Sequence, residues 1–280
     1  MAVVDVAHLP DQLAVRSDTR IGREKGAAAG DDGRRPVRCS TGRLISPHPV
    51  FPPQRLECPD PAGCPVTPDL PTLTITTIGP GTALYRVYDG KWGYDEHNPG
   101  FGDARFSPFD DATDGHRVPS MYLAATPTSA LLETIFHEVH QSSSRIIYER
   151  DLRGKLLAHL TLPVAARLGD LRDTELVRHG LSREQVVSSP AEHYPCTRRL
   201  AFVARAQDGS PHGLIWHSRQ TELAERPATE VFVLFGDTYP SGRGAWPLTG
   251  PGIRNLYEGP GRLLIDQIGE DLDALVEPET

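Results

Sequence analysis

The sequence predicts an α+β protein with a mixed β-sheet core and flanking helices, preceded by a disordered N-terminal arm. Ten Pro and six Gly in the first 70 residues leave little room for a periodic apolar pattern. Short alternating or apolar segments, which are typical of strands, begin near Leu73 and are separated by helix-start signals. We therefore divide the chain into the arm, residues 1–70, and a folded domain, residues 71–280, with a core at about 75–240.

The first half of the domain contains three predicted strands, a long loop and one helix. Segment 90–109 is rich in Gly, Asn, Pro and aromatic residues, which is typical of a long loop with a functional role. Thr126 supplies an N-cap and Pro127 occupies the first helical position, so a helix should begin there and run to about residue 140. The strands are predicted at 73–78, 83–88 and 119–125.

The second half of the domain contains two continuous apolar runs, 213–216 and 231–235, which are typical of central strands buried on both faces. A capping box beginning at Ser182 predicts the start of a short helix. The tail, 263–276, is predicted to form a strand and a short acidic helix. Further strands are predicted at 145–151 and 156–162, joined as a hairpin, and at 166–171, with helices at 173–179, 182–187 and 190–206.

Charge and composition exclude several classes of function. The net charge is -8, and the arm is neutral with nine basic and nine acidic residues, so the excess negative charge lies in the domain. This argues against direct nucleic-acid binding, and it means that an anion site would depend on a few individual arginines. No segment predicts a membrane span or a signal peptide, so a cytoplasmic location is expected.

Four cysteines, Cys39, Cys58, Cys64 and Cys196, are too few for a disulfide framework in a chain of this length. Cys58 and Cys64 flank a Pro-Asp-Pro-Ala-Gly segment and could be grouped around zinc with Cys39 and His48. Their spacing matches no common zinc pattern. We therefore expect free thiols in a flexible arm and no metal.

Four polar residues of the domain are candidates for a site, although each also has a purely structural interpretation. Arg86 lies in an apolar strand, where it needs either an anionic ligand or an internal carboxylate as a partner. When Arg86 is considered by itself, the internal salt bridge is slightly favoured. Glu133 is expected in the first turns of a helix, where the helix dipole favours a carboxylate without any function. Tyr122 is compatible with ordinary sheet packing. Ser218 follows a buried run, so it either faces a ligand crevice or only terminates a strand.

Taken together, these residues stand in an ordered array that resembles the RES domain. This family is named for an arginine, a glutamate and a serine, and it is known as the toxin half of bacterial toxin–antitoxin pairs whose partner carries a helix-turn-helix domain. The resemblance covers about residues 75–240. The motifs are Leu84-Tyr-Arg86, Gly102-x-x-Arg105-Phe106, Tyr122-Leu-Ala124, Ala130-Leu-x-Glu133 and Gly213-Leu-Ile-x-x-Ser218-Arg219, ahead of Val233-Leu-Phe235.

The resemblance implies an ADP-ribosyltransferase-like fold and cleavage of NAD at its nicotinamide–ribose bond, with NAD as substrate and no other cofactor. It also implies a helix-turn-helix antitoxin as a partner; a homo-oligomer is a further possibility. Arg86, Glu133 and Ser218 are assigned the catalytic roles. The residues assigned to substrate binding are Arg105, Tyr122, Tyr85, Phe106 and Tyr88.

The chemistry of the reaction suits these residue types. Nicotinamide is already a cationic leaving group, so cleavage needs no general acid and passes through an oxocarbenium-like sugar. Glu133 would stabilise that charge, and Arg86 and Arg105 would clamp the diphosphate with their planar, forked donors. Tyr122 would pack against the nicotinamide, and Ser218 would orient the ribose or the glutamate.

The chain departs from the family pattern at Val87, where some members carry an aromatic residue. It also departs in the interval of 84 residues between Glu133 and Ser218, which is longer than we expect of compact members. Two other functions remain open. A protein mono-ADP-ribosyltransferase on the same fold would differ only in its acceptor, which the sequence does not identify. A catalytically silent binding module is disfavoured because Arg86, Glu133 and Ser218 are all present.

Overall fold

An eight-stranded mixed β-sheet forms the centre of the domain, in the order β1-β6-β7-β8-β3-β2-β5-β9. The structure, a computed structural model, describes residues 51–64, 66, 70–137, 139 and 143–278. All neighbouring strands of the sheet are antiparallel except β6 and β7, which are parallel. The strands are β1 (Ile75–Ile78), β2 (Ala83–Asp89), β3 (Ser120–Ala124), β4 (Ile146–Tyr148), β5 (Lys155–Thr161), β6 (Ala166–Asp170), β7 (Gly213–His217), β8 (Glu230–Phe235), β9 (Leu248–Asn255) and β10 (Leu275–Glu277).

Helices flank this sheet, so the predicted α+β class with a mixed sheet is confirmed. The local start signals act as expected. The Thr126 side chain accepts a hydrogen bond from Ser129 N, and the capping box joins Ser182 to Gln185. None of the described helices has the length and hydropathy of a membrane-spanning segment. The helices are α1 (Pro127–Leu132), α2 (Glu149–Leu152), α3 (Asp173–Arg178), α4 (Arg183–Val186), α5 (Tyr194–Ala206), α6 (Arg219–Leu223) and α7 (Gly259–Asp271), with a 3-10 turn at Ala191–His193.

The central strands β7 and β8 are buried on both faces, as their continuous apolar sequences predict. In β7, Leu214 and Trp216 pack into the core on one face of the sheet, whereas Ile215 packs into the core on the other. In β8, Val233 and Phe232 divide between the two faces in the same way. Two core layers therefore enclose the sheet, which explains why these strands show no polar alternation.

The helix after Thr126 is shorter than predicted. α1 ends at Leu132, and the backbone N–H groups of Ile135 and Phe136 both donate to Leu131 O, which tightens the chain into turns. In a helix that continued to about residue 140, Phe136 would lie off the apolar face. Phe136 is fully buried in the structure, which the turns after α1 allow. Glu133 consequently lies at the C-cap of α1 and not in its first turns.

The C-terminal part of the chain also differs from the prediction. The strand predicted at 145–151 is shortened to β4, continues into α2, and pairs in parallel with β10, so it forms no hairpin with β5. The tail forms α7 first and β10 second, the reverse of the expected order. β9 was not predicted from the sequence, because it contains Gly250-Pro-Gly252. It lies at the edge of the sheet, where Pro and Gly are tolerated.

Part of the predicted disordered arm packs on the domain. Residues 1–50 of the arm lie outside the described residues. Within the N-terminal segment, residues 51–64, Gln54 N donates to Asp110 Oδ2 at 2.7 Å. Arg117 Nη2 donates to Pro52 O at 2.7 Å. This segment forms neither strand nor helix, and side chains of the domain satisfy some of its backbone groups.

Close packing of β7 against β8 makes Gly213 a sensitive position. A Cβ added there would lie 1.9 Å from Val233 O, which is fixed in the sheet. We expect Gly213→Ala to lower the free energy of unfolding by at least about 2 kcal/mol. Gly79→Ala is the matched control, since its Cβ would meet no atom within 4 Å. Urea denaturation measures both variants, and equal midpoints would contradict this packing.

Candidate active site

A cleft opens where β2 and β3 separate. The two strands pair only at Tyr85 and Ala124, although β2 pairs with β5 and β3 with β8 along their whole lengths. Beyond this pair the strands diverge, and a cavity of about 900 Å³ lies between them and the loop that joins them. Six of the residues predicted from the sequence line this cavity: Tyr85, Arg86, Tyr88, Arg105, Tyr122 and Glu133.

Glu133 and Ser218 form a hydrogen-bonded pair at one end of the cleft. Ser218 follows β7 and is the N-cap of α6; its side chain is buried, and Oγ donates to Glu133 Oε1. The same Oγ accepts a hydrogen bond from Thr221 N at 3.2 Å. Because the start of α6 holds the hydroxyl, the carboxylate receives a donor of fixed direction. Ser218 does not line the cleft itself, so it acts on a ligand through Glu133.

The position of Glu133 at the end of α1 removes the structural explanation that the sequence offered. A carboxylate is favoured near a helix N-terminus, whereas at a C-terminus the helix dipole opposes it. Its charge is balanced instead by the hydrogen bond from Ser218 and by its electrostatic attraction to Arg105. This arrangement places a carboxylate in a cleft that groups of both signs line.

Arg105 is held in the cleft by groups that carry no charge. Its Nη1 donates to Val186 O at 3.2 Å, to Ser189 O at 3.0 Å and to Ser189 Oγ at 2.6 Å. Its guanidinium carbon lies 4.9 Å from the centroid of the Tyr194 ring. Burial is the largest cause that lowers the pKa of Arg105, and Arg219 lowers it further. The arginine stays charged, without a carboxylate in direct contact among the described residues.

Arg86 is buried in the same manner, with 7% of its surface exposed. Its Nη1 donates to Tyr94 O at 2.6 Å, and no carboxylate of the described residues forms an ion pair with it. Burial lowers the pKa of Arg86 to about 10, and the charges of Asp95 and Glu96 oppose this shift. The internal salt bridge that the sequence slightly favoured is therefore absent from the described residues. A desolvated cation of this kind is stabilised by an anionic ligand.

The aromatic residues divide into those that face the cleft and one that does not. Tyr122 lines the cleft, and its hydroxyl accepts hydrogen bonds from Phe106 N and Ser107 Oγ, both at 3.2 Å. Burial raises the pKa of Tyr122 to about 12. Tyr85 stacks on His159 with the ring centroids 4.3 Å apart. Tyr88 also lines the cleft, and its ring lies 5.7 Å from the Arg86 guanidinium carbon.

Phe106 is the predicted binding residue that the structure does not bring to the cleft. Its side chain is fully buried and packs edge-on against Trp216, with the ring centroids 4.8 Å apart. Its predicted role in substrate contact is corrected: its backbone N–H holds the hydroxyl of Tyr122, and its ring belongs to the core.

Two residues of the cleft were not selected from the sequence. Arg219 lines the cleft directly after Ser218, within a motif that the sequence analysis quoted without assigning this residue. His97 lies in the loop between β2 and β3, is 8% exposed, and has no hydrogen-bond partner for either ring nitrogen among the described residues. Burial, followed by the charge of Arg86, lowers the pKa of His97 to about 3. Only the Gly-rich and aromatic composition of the loop hinted at this position.

Comparisons with known proteins identify the family of the chain. The family model described as the RES domain matches residues 83–247, and the chain therefore belongs to the RES domain family. A search of the solved structures matches a chain from the crystal structure of the M. tuberculosis MbcT–MbcA toxin–antitoxin complex. That match has a TM-score of 0.46 and 13% sequence identity, and it covers 69% of this chain and 91% of the other. No curated protein matches the chain.

The neutral state of His97 makes stability depend on pH in a defined direction. Below its usual pKa of 6.5 the unfolded chain gains a proton that the folded protein, with a pKa of about 3, does not. The stability contributed by an uncharged His97 is therefore lost as pH falls from about 6.5. Between about pH 7 and about pH 5 the wild-type protein should lose roughly 2 kcal/mol more unfolding free energy than His97→Asn.

Urea denaturation at several pH values measures this difference. His116→Asn is the matched control, because His116 is exposed and should show the wild-type slope. Parallel pH profiles for the wild-type protein and His97→Asn would contradict the assignment of a neutral imidazole.

Proposed function

We propose that the protein cleaves the bond between nicotinamide and ribose in NAD, as a glycohydrolase or phosphorylase, and that it acts as a toxin of a bacterial toxin–antitoxin pair. The observation that carries the proposal is the Glu133 carboxylate, oriented by Ser218 within a cleft that also contains Arg86 and Arg105. Membership of the RES domain family supports the toxin role.

The cleft offers the groups that NAD requires. Its volume of about 900 Å³ suits a dinucleotide bound in an extended form. Arg86 and Arg105 are desolvated, and their hydrogen bonds go to neutral oxygens, so their charges remain available to a diphosphate. Tyr122 and Trp216 line the same cleft and offer aromatic surface for the nicotinamide ring.

The proposed reaction breaks the C1′–N bond, and the electron pair of this bond goes to the nicotinamide nitrogen, which becomes neutral. Positive charge develops on the ribose, and Glu133 stabilises it at close range. An oxygen of water or phosphate then bonds to C1′ and loses a proton. Ser218 is a positioning residue in this scheme, because its hydroxyl orients Glu133 and is itself buried.

The acceptor separates this function from protein mono-ADP-ribosylation, which would use the same cleft. Purified protein should release nicotinamide from NAD, and chromatography of the products with and without inorganic phosphate distinguishes hydrolysis from phosphorolysis. Transfer of labelled ADP-ribose to added protein would favour the transferase. Failure to release nicotinamide under any of these conditions would contradict all enzymatic forms of the proposal.

Glu133→Gln tests the charge at the centre of the proposal. The amide keeps the size of the side chain but removes the negative charge, so kcat should fall about a thousandfold. Thermal denaturation should show little change, because Glu133 is not part of the core. Glu270→Gln in α7, an exposed position, is the matched control and should retain wild-type turnover. Comparable activity in Glu133→Gln would remove the residue from the mechanism.

Arg105→Lys tests the second arginine. Lysine keeps the charge but lacks the planar fork of the guanidinium. It cannot donate to Val186 O and Ser189 O and at the same time present a second, separate nitrogen to the ligand. We expect KM for NAD to rise about tenfold to a hundredfold, corresponding to the loss of a charged hydrogen bond. Arg243→Lys, at an exposed position, controls for the substitution. An unchanged KM in the Arg105 variant would contradict the diphosphate clamp.

The toxin role predicts a cellular effect. Expression of the wild-type chain should lower cellular NAD and arrest growth, whereas Glu133→Gln should do neither at an equal protein level. The proposed partner, an antitoxin with a helix-turn-helix domain, would relieve the arrest when co-expressed. Growth arrest by the Glu133 variant at normal NAD levels would contradict NAD loss as the cause.

A further inference from the structure

Three cysteines and a histidine converge outside the cleft. Cys58 and Cys64 belong to the N-terminal segment, whereas His193 and Cys196 lie at the start of α5. One potential ligand atom from each residue lies within 4.8 Å of every other. His193 and Cys196 are buried, and Cys58 and Cys64 are half-buried.

Both pairs are brought together by their local structure. His193 ends the 3-10 turn and Cys196 stands in the first turn of α5, so their spacing of three residues places both side chains on one face. Between Cys58 and Cys64 the chain turns at Asp60, whose Oδ1 accepts a hydrogen bond from Gly63 N at 3.2 Å. The two pairs are separated by about 130 residues in the sequence and meet only in the folded domain.

Two of the separations between the ligand atoms lie close to those of a tetrahedral metal site, and all of them are within 4.8 Å. Zinc bonds of about 2.3 Å to sulfur and about 2.0 Å to nitrogen, at tetrahedral angles, put neighbouring ligand atoms roughly 3.5 to 3.8 Å apart. The Sγ atoms of Cys64 and Cys196 are 3.5 Å apart, and Cys58 Sγ lies 3.8 Å from His193 Nδ1. A disulfide would instead require sulfur atoms about 2.05 Å apart.

We propose that Cys58, Cys64, His193 and Cys196 bind one structural Zn²⁺ ion. Three thiolates and an imidazole form a soft donor set that suits zinc, and four protein ligands leave no position for a substrate. Binding releases the protons of the thiols that coordinate the ion. From the sequence, Cys58 and Cys64 were grouped with Cys39 and His48 and no metal was predicted, because His193 and Cys196 are distant in the chain.

The metal fastens the N-terminal segment to the helix that supports Arg105. One residue after Cys196, Thr197 Oγ1 donates to Arg105 O at 2.5 Å, and Arg198 Nε donates to Ala104 O at 2.9 Å. Tyr194, which lies between His193 and Cys196 in the chain, packs on the Arg105 guanidinium. The ion therefore acts as a cross-link beside the cleft and takes no part in bond cleavage.

Elemental analysis of the full-length, tag-free protein, purified under reducing conditions, tests the site directly. We expect about one zinc ion per chain, as for a closed four-ligand site. Cys58→Ser and Cys196→Ser should each lose the metal, whereas Cys39→Ser keeps all four proposed ligands and should retain it. His116→Asn is the control for His193→Asn. Zinc-free wild-type protein that takes up no Zn²⁺ on titration would overturn the proposal, as would metal retention in both serine variants.

Cobalt substitution and thermal denaturation give readouts that do not depend on NAD turnover. Co²⁺ added to metal-free protein should produce the absorption bands of a tetrahedral site rich in thiolate, with saturation at one equivalent. A chelator should lower the melting temperature of the wild-type protein by several degrees and leave that of Cys58→Ser unchanged. Octahedral cobalt spectra, or a Cys64–Cys196 disulfide in protein prepared without air, would overturn the assignment.

Discussion

The separation of β2 from β3 is the constraint on which the candidate site depends. β2 pairs with β5, and β3 with β8, along their whole lengths. The separation of β2 from β3 therefore removes only hydrogen bonds between these two strands. The walls of the cleft are formed by these two half-sheets together with the loop that joins β2 to β3 and part of segment 187–194. Side chains carried on such strands are held closely in place, which suits a site that must present several charged groups at once.

The arginines of the domain fall into two groups with different partners. Arg172 pairs with Asp170 and Glu230, and hydrogen bonds with these carboxylates raise its pKa. Arg86 and Arg105 contact carbonyl and hydroxyl oxygens instead, and burial lowers the pKa of each. A carboxylate partner would neutralise the charge inside the protein. Neutral partners fix the side chain without forming an ion pair, so the guanidinium keeps the capacity to pair with an anionic ligand.

Features governed by local chemistry were predictable from the sequence, whereas those governed by tertiary packing were not. The start of α1 follows from Thr126 and Pro127, but its end depends on the burial of Phe136 in a core that no local pattern specifies. The continuous apolar runs of β7 and β8 reveal two buried faces. The edge strand β9 has a neighbouring strand on one side only and contains no buried residue, so its Gly-Pro-Gly sequence looked like a loop.

The same distinction holds for the candidate site. The ordered motifs predicted that Arg86, Arg105 and Glu133 share a site with Tyr122, and all four residues line one cleft. The sequence could not tell that the Phe106 ring turns into the core, because the direction of a side chain in an irregular loop is set by its surroundings. His97 has no motif around it, and His193 and Cys196 are too distant from Cys58 for any spacing rule to join them.

The placement of Arg105 gives the long interval between Glu133 and Ser218 a structural meaning. Every group that grips this arginine's Nη1 comes from Val186 or Ser189, and the ring beneath it comes from Tyr194, all within that interval. The chain between Glu133 and Ser218 therefore supplies part of a wall of the cleft. A deletion that removed Val186, Ser189 and Tyr194 would leave Arg105 in the chain without the groups that fix its position.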